Sequence, residues 1–342
     1  MKTVLVTGGM GYIGSHTSVE LINSNYKIII VDNLSNSNKE VLKGIREITG
    51  KEPAFIKADC TNENEMNKVF SEHKIDAIIH FAASKAVGES VEKPLLYYKN
   101  NINSLVVILE MMRKHHVENI VFSSSCTVYG QPDNLPVTEN TPRKEAESPY
   151  GNTKSICEDI LNDSCKAYDA INTIALRYFN PIGAHPSALI GELPIGVPAN
   201  LVPYITQTAI GIRKELSVFG NDYNTPDGSC IRDFIHVVDL AKSHVVAVRR
   251  LLNNKNKKSF KIFNIGTGKG ASVLELINTF EEVNHLKLSY KIVGRREGDI
   301  EQIYADVTLA NEELGWKAES SLAETLQSAW KWEQNYRSKN KN

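Results

Sequence analysis

Short apolar runs rich in β-branched residues alternate with longer stretches of helical spacing through the first half of the chain. The runs Val4–Thr7, Ile28–Val31, Ala54–Lys57, Ala77–His80 and Ile120–Ser123 predict strands. Ile13–Asn23, Glu63–Glu72 and Asn103–His115 predict the helices between them. Strands that are apolar on both faces and separated by helices imply a parallel sheet covered on both sides. A further helix is expected from Tyr150 to Tyr168, then a strand at Thr173–Leu176. The fold class this predicts is α/β: a doubly wound parallel sheet with a smaller, mixed C-terminal lobe.

The pattern breaks between Asn180 and Asn200, where Pro181, Gly183, Pro186, Gly191, Pro194, Gly196 and Pro198 follow one another. A long irregular segment bounded by well-patterned elements reads as a substrate loop. The lysine- and asparagine-rich stretch Asn253–Ser259 reads as a solvated loop, and the polar tail after Tyr336 is expected to fray. The expected division is residues 1–179 as the sheet domain, with segments around 233–266 returning to it, and residues 180–342 mainly as the second lobe.

Composition narrows the function. The chain has 342 residues, 42% hydrophobic and 23% charged, with a formal net charge of −1. That suits a globular fold and offers no basic excess for a nucleic-acid backbone, so no nucleic-acid partner is expected. Five cysteines, an odd number without a C-x-x-C pair, suggest reduced thiols rather than a disulfide framework or a zinc site, and no metal is expected. No apolar run is long enough to span a bilayer, and the stretch before Gly8 is too short for a secretion signal. The expectation is a cytoplasmic protein that does not use a membrane.

Candidate chemistry begins at Gly8, Gly11 and Gly14, spaced G-x-x-G-x-x-G between the first strand and the first helix. Small residues there let the backbone turn sharply and approach a pyrophosphate at the helix N-terminus. A tight turn without ligand would use the same residues. Asp32 ends the second strand about 20 residues on, where a carboxylate accepts ribose hydroxyls and repels a 2′-phosphate. The cofactor expected is therefore NAD, on a Rossmann-type sheet. Asp59 is read as ending the third strand, facing adenine or closing a turn. Phe81, Ala82 and Ala83 follow the fourth strand where a dinucleotide would pass, with Lys85 just beyond.

Tyr150 and Lys154 share one face of the expected helix. Ser123, Ser124 and Ser125 end the fifth strand, on the ligand-binding edge of such a sheet. Hydride leaves a carbinol carbon only as its hydroxyl loses a proton, and a phenol with pKa ~10 is a poor base at neutral pH. At ~6 Å and an effective dielectric near 20, one positive charge contributes about 3 kcal/mol, or roughly two pKa units. The Lys154 ammonium and an oxidised nicotinamide together would bring Tyr150 near neutrality, and neither alone suffices.

These motifs resemble the extended short-chain dehydrogenase/reductase family. Gly8-Gly9-Met10-Gly11-Tyr12-Ile13-Gly14-Ser15-His16, Lys85-Ala86-Val87-Gly88-Glu89-Ser90, Ser123-Ser124-Ser125-Cys126-Thr127-Val128-Tyr129-Gly130 and Arg177-Tyr178-Phe179-Asn180 resemble its UDP-glucose (UDP-galactose) 4-epimerase branch. So do Gly183-Ala184-His185-Pro186, the stretch Asp227–Val237 and Arg295-Arg296-Glu297-Gly298-Asp299, in the same order along nearly the whole chain.

The resemblance implies roles. Tyr150 would be the acid/base, with Lys154 and Ser125 assisting. Gly8, Gly11, Tyr12, Ile13, Gly14, Asp32, Asn33, Asp59, Cys60, Phe81, Ala82, Ala83, Lys85, Asn100 and Tyr178 would join Tyr150 and Lys154 in the NAD site. Asn180, Asn200, Leu201, Phe219, Arg232, Arg296, Asp299 and Ile303 would join Ser125 and Tyr150 around a UDP-hexose. Guanidinium forks suit a diphosphate. Arg232 could instead pair locally with Asp233, and Arg296 could be plain surface. A homodimer through the helices near Asn103–His115 and Tyr150–Tyr168 is also implied.

Two competing readings remain. A nucleotide-sugar 4,6-dehydratase usually carries Asp-Glu after the serine/threonine pair, where this chain has Cys126-Thr127. A non-catalytic NAD-responsive protein commonly loses the tyrosine or lysine that this chain keeps. His185 and His236 are both discounted as acid/base groups, His236 as a structural histidine in an apolar run, and Cys126 lacks a base partner that would make it a nucleophile. Where some relatives carry a pocket-lining tyrosine, Ile303 is smaller, so 2-acetamido sugars are expected to fit as well.

Overall fold

A computed structural model describes residues 1–296 and 298–339. Glu297 of the Arg295–Asp299 motif and the tail beyond Lys339 lie outside the described residues. A seven-stranded, wholly parallel sheet comprises β1 (Thr3–Thr7), β2 (Lys27–Asp32), β3 (Ala54–Lys57), β4 (Ala77–His80), β5 (Asn119–Ser125), β6 (Asn172–Tyr178) and β7 (Phe260–Ile265). The order is β7-β6-β5-β4-β1-β2-β3, a Rossmann-type arrangement that reverses direction between β1 and β4.

Alternating strand residues feed two separate cores, which is why the strands read as continuous apolar runs. Val4, Val6, Ile30, Ile79, Val121 and Leu176 face α1 (Tyr12–Asn23), α2 (Val41–Thr49) and the later helix Val237–Leu252. Leu5, Ile29, Ile78, Ile120 and Phe122 face the opposite layer: α3 (Glu63–Glu72), α4 (Asn103–Lys114) and α5 (Pro149–Ala167). The helix Val237–Leu252 and strand β7 therefore complete the sheet layers despite their late position in sequence.

A second core forms around Ile182, Ile205, Val218, Ile277, Phe280 and Leu326. Short strands brace it: Asn180–Ile182 beside Phe234–His236, Leu216–Phe219 beside Tyr290–Val293, and Ile231–Arg232 between Ala271–Ser272 and Gln302–Ile303. Between Ile182 and Asn200 the chain is irregular apart from one bridge, Ala184 to Gly191. The C-terminal helix continues through Lys339, so the fraying expected after Tyr336 does not occur in the described part of that tail. No described helix is long and apolar enough to cross a membrane. All five cysteines are buried and unbridged.

Candidate functional site

Gly8 holds a φ of +66°, and a Cβ there would lie 2.8 Å from the Ala82 nitrogen. A Cβ on Gly14 would meet the Gly8 carbonyl oxygen at 2.4 Å. The turn therefore closes only with glycine at both positions, and it brings Phe81, Ala82 and Ala83 alongside. Gly11 starts α1 without a capping side chain, leaving the helix N-terminus that Tyr12 and Ile13 open free of a side-chain acceptor. Asp32 accepts the Met10 N–H at 3.0 Å and the Ser37 hydroxyl at 2.9 Å, which fixes a carboxylate at the edge of this cradle. Uncapped donors, a backbone that admits no side chain and a nearby carboxylate fit the pyrophosphate and ribose of a dinucleotide.

Asp59 closes a turn, one of its two readings, although it is not the last residue of the strand. Strand β3 ends at Lys57, and Asp59 sits in the following turn, where it accepts Thr61 N–H and hydroxyl and the Asn33 amide. Burial would raise its carboxyl, but these donors hold it below its usual value. The adjacent Cys60 thiol is pushed up by burial. Asn100 lies on a single π-helical turn, Tyr98–Ile102, and donates to Ser84. Turns of this kind recur at functional sites.

At the carboxyl edge of β5, the three serines each take a different partner. The Ser123 carbonyl accepts from Lys154 Nζ at 2.7 Å, and its hydroxyl meets the Tyr178 hydroxyl. Ser124 donates to Glu158 Oε1 at 2.5 Å. Ser125 accepts the Thr127 N–H and hydroxyl and lies close enough to the Tyr150 phenol to lower it. Burial pushes the Tyr150 phenol up to about 12, against a lowering contribution from Ser125. Burial also draws Lys154 down to about 8, opposed by Cys157 and Glu158. Its ammonium lies 5.8 Å from the Tyr150 ring centre. Tyr178 is likewise pushed up by burial, with the neighbouring Tyr150 adding to it.

Of the residues expected around UDP, Arg232, Arg296, Asp299 and Phe219 come together, while Asn200 and Ile303 have other partners. Arg296 forms a two-pronged pair with Asp299, at 2.6 and 3.2 Å, and lies 5.5 Å from the Phe219 ring centre. Arg232 Nη2 reaches the same carboxylate at 3.8 Å. The local Arg232–Asp233 pair is not formed. Asp233 is fully buried and accepts from Thr267, Gly268 and Ala305 instead. Nor is Arg296 plain surface, although its side chain is 57% exposed. Asn180 joins through its backbone, donating to the Asp233 carbonyl. Asn200, just ahead of Leu201, donates to Glu192 at 2.6 Å, and Lys85 meets the same carboxylate at 3.2 Å.

Ile303 is 2% exposed and packs with Cys126, Phe179 and Ala305. Cys126 lies in the same cluster, its thiol pushed up to about 12 by burial, which suits packing rather than nucleophilic attack. His236 Nδ1 accepts the Val238 N–H at the start of a helix, a structural task. His185 is engaged with Ser187.

Comparison with known proteins places this geometry. The family model described as GDP-mannose 4,6 dehydratase matches residues 5–329, so the chain falls within that family. A UDP-glucose 4-epimerase of Dictyostelium discoideum is 52% identical over 330 residues, covering 96% of this chain and 95% of the relative. The chain belongs to the UDP-glucose 4-epimerase family. A UDP-glucose 4-epimerase structure from Bifidobacterium longum, in complex with NAD+ and UDP, matches with TM-score 0.94 and 48% identity, covering 100% of this chain and 99% of that one. The epimerase from Stenotrophomonas maltophila, with bound NAD and formylated UDP-arabinopyranose, gives TM-score 0.96 and 46% identity, covering 99% and 100%. Dehydration, the activity in the family model's description, is not favoured here, because Cys126 and Thr127 bring no carboxylate next to Ser125.

Sequence reasoning missed Glu158, Arg177 and Glu192 as members of this region. Glu158 sits one helical turn beyond Lys154, so the stripe that relates Tyr150 to Lys154 was the available signal. Arg177 forks onto Glu158 at 2.8 and 2.6 Å. Glu192 lies in the irregular loop and carries no local pattern.

Proposed function

We propose that this chain is an NAD-dependent epimerase interconverting UDP-glucose and UDP-galactose through a 4-keto intermediate. The meeting of Tyr150, Lys154 and Ser125 beside the Gly8–Gly14 cradle is the observation that supports it. NAD held in that cradle would supply a reversible hydride acceptor for the sugar C4 and a positive charge that lowers the Tyr150 phenol.

In this reading Tyr150 takes the 4-hydroxyl proton, holds it while the sugar turns over, and returns it. Ser125 orients the hydroxyl, and Lys154 supplies fixed positive charge and holds the nicotinamide ribose. A phenol near 12 is almost wholly protonated at neutral pH, so added positive charge is needed before it can accept the 4-hydroxyl proton. Gly8, Gly11, Tyr12, Ile13, Gly14, Asp32, Asn33, Asp59, Cys60, Phe81, Ala82, Ala83, Lys85, Asn100 and Tyr178 form the dinucleotide site. Asn180, Asn200, Leu201, Phe219, Arg232, Arg296 and Asp299 grip the UDP, leaving the sugar free to turn. Residues 1–179, with 233–266, form the NAD-binding domain, and most of 180–342 forms the UDP-sugar lobe.

UDP-galactose incubated with the purified protein and no added NAD is expected to yield UDP-glucose. Failure to interconvert any hexose pair would defeat the reading. The family's sugar tolerance is finer, and we assign it to Ile303. Wild type is expected to interconvert UDP-GlcNAc and UDP-GalNAc, and Ile303→Tyr to lose that while keeping UDP-glucose turnover. Equal UDP-GlcNAc rates remove Ile303 from the argument. We place the protein in the cytoplasm as a homodimer. Val91 and Leu95, 61% and 81% exposed on short helices packed beside α5, support a partner surface there.

A further inference from the structure

Tyr150, Lys154 and Glu158 succeed one another at intervals of one helical turn and so form a single stripe on α5. Opposite this stripe lies the end of β5, where Ser125, Ser123 and Ser124 each engage one of its members. Strand alternation turns Ser124 toward the face that α5 covers, where its hydroxyl must find an acceptor. Glu158 is that acceptor. Its side chain is 2% exposed, and Arg177, 3% exposed, satisfies its oxygens with a two-pronged fork. Arg177 is held in turn by Tyr129, whose hydroxyl donates to Asn264 of β7. Burial works against the Arg177 charge, but Glu158 outweighs it and keeps the guanidinium above its ordinary pKa. A charged pair this deep is costly to desolvate, and an apolar pair of similar volume would often serve stability as well.

Building on the epimerase reading, we propose that Glu158 is the third working member of the stripe, a positioning residue that holds the Lys154 ammonium and the serine strand end in register for Tyr150. Its carboxylate is the negative charge one turn from Lys154. It opposes the burial that strips the proton from that lysine. The other groups around the pair are His80 on β4, Arg177 and Tyr178 on β6, Tyr129 after β5, and Glu139 and Arg143 from the intervening loop, with Cys157 and Asp159 on α5 itself. Arg177 adds positive charge near Lys154, so removing Glu158 alone both deletes the favourable partner and exposes an unfavourable one.

The test is the pH dependence of kcat with UDP-galactose in wild type, Glu158→Gln and Glu158→Gln/Arg177→Gln, with folding checked by cooperative thermal melting. Wild-type turnover itself tests the epimerase reading, independently of the variants. Wild-type kcat is expected to fall as pH rises through about 8, where Lys154 gives up its proton. In Glu158→Gln that limb is expected to move down by about one unit, with KM unchanged. The double variant is expected to shift in the same direction by less, because both charges are gone. A limb that stays in place in a folded variant, with kcat lowered equally at every pH, overturns the proposal. If only the double variant folds, its limb decides. If neither folds, the pair belongs to the fold alone and the proposal is also overturned.

Discussion

The two sides of the site solve the same problem, holding charge in position, by opposite means. On the sheet side, Lys154 is 3% exposed and Glu158 2%, held by the ends of β5 and β6, with Arg143 of the intervening loop 3.7 Å from Glu158. On the side proposed to hold UDP, Phe219 is 41% exposed and the Arg296 side chain 57%, on a short strand and a loop. There Asp299 forks onto Arg296 and lies 3.8 Å from Arg232, which donates to the Ile231 and Glu301 carbonyls. A buried charge has one low-energy arrangement, because an unpaired alternative is costly. An exposed pair gains little and is readily exchanged. Proton transfer needs the first property and release of a nucleotide the second.

The largest way to test this contrast is Tyr150→Phe. Its kcat is expected to fall by about 10³-fold, while UDP affinity by calorimetry stays near wild type. Loss of UDP binding with retained turnover would reverse the assignment of the two sides. Next comes Arg232→Ala, where the lost charge-assisted contact should weaken UDP binding by about 1.5–3 kcal/mol and leave the pH profile of kcat in place. A moved profile would mean that the sides are coupled.

Acid should distinguish them as well. Burial draws His16 and His80 down to about 3 and His244 to about 4, so all three are neutral in the folded chain. The unfolded chain binds protons at these positions below about 6.5 and the folded chain does not, so stability is present above that pH and drains as pH falls toward 4. The expected slope is about 1.4 kcal/mol per pH unit for each histidine, read from urea melts between pH 6.5 and 4.5. A flat stability over that range overturns the assignment. Arg296→Ala should be the mildest change, altering stability by less than about 1 kcal/mol.

The sheet was legible because strands buried on both faces stand out as apolar runs, and Ala54–Lys57 and Ala77–His80 have the expected bounds. The apolar run of β5 stops at Ser123, since hydroxyls interrupt the pattern, yet the three serines were legible as the strand's end, and the strand does reach Ser125. Pairing with Arg177 and Tyr178 carries the strand to its end. Helix α2 escaped notice because it is short and buries only Gly44 and Ile45. Arg232 and Asp233 are neighbours in sequence, but successive extended residues point to opposite sides, so the local pair offered as an alternative does not form. Arg232 donates to the Ile231 and Glu301 carbonyls, and the carboxylate it approaches, Asp299, comes from a distant loop that no local spacing reveals.

Glu192 carries a further consequence. One carboxylate from the irregular loop receives both Lys85 and Asn200. A ligand that claims either group replaces an existing bond instead of adding a new one. Its heat of binding therefore reports the difference between two contacts, and a modest calorimetric signal at this junction is compatible with a strong individual grip.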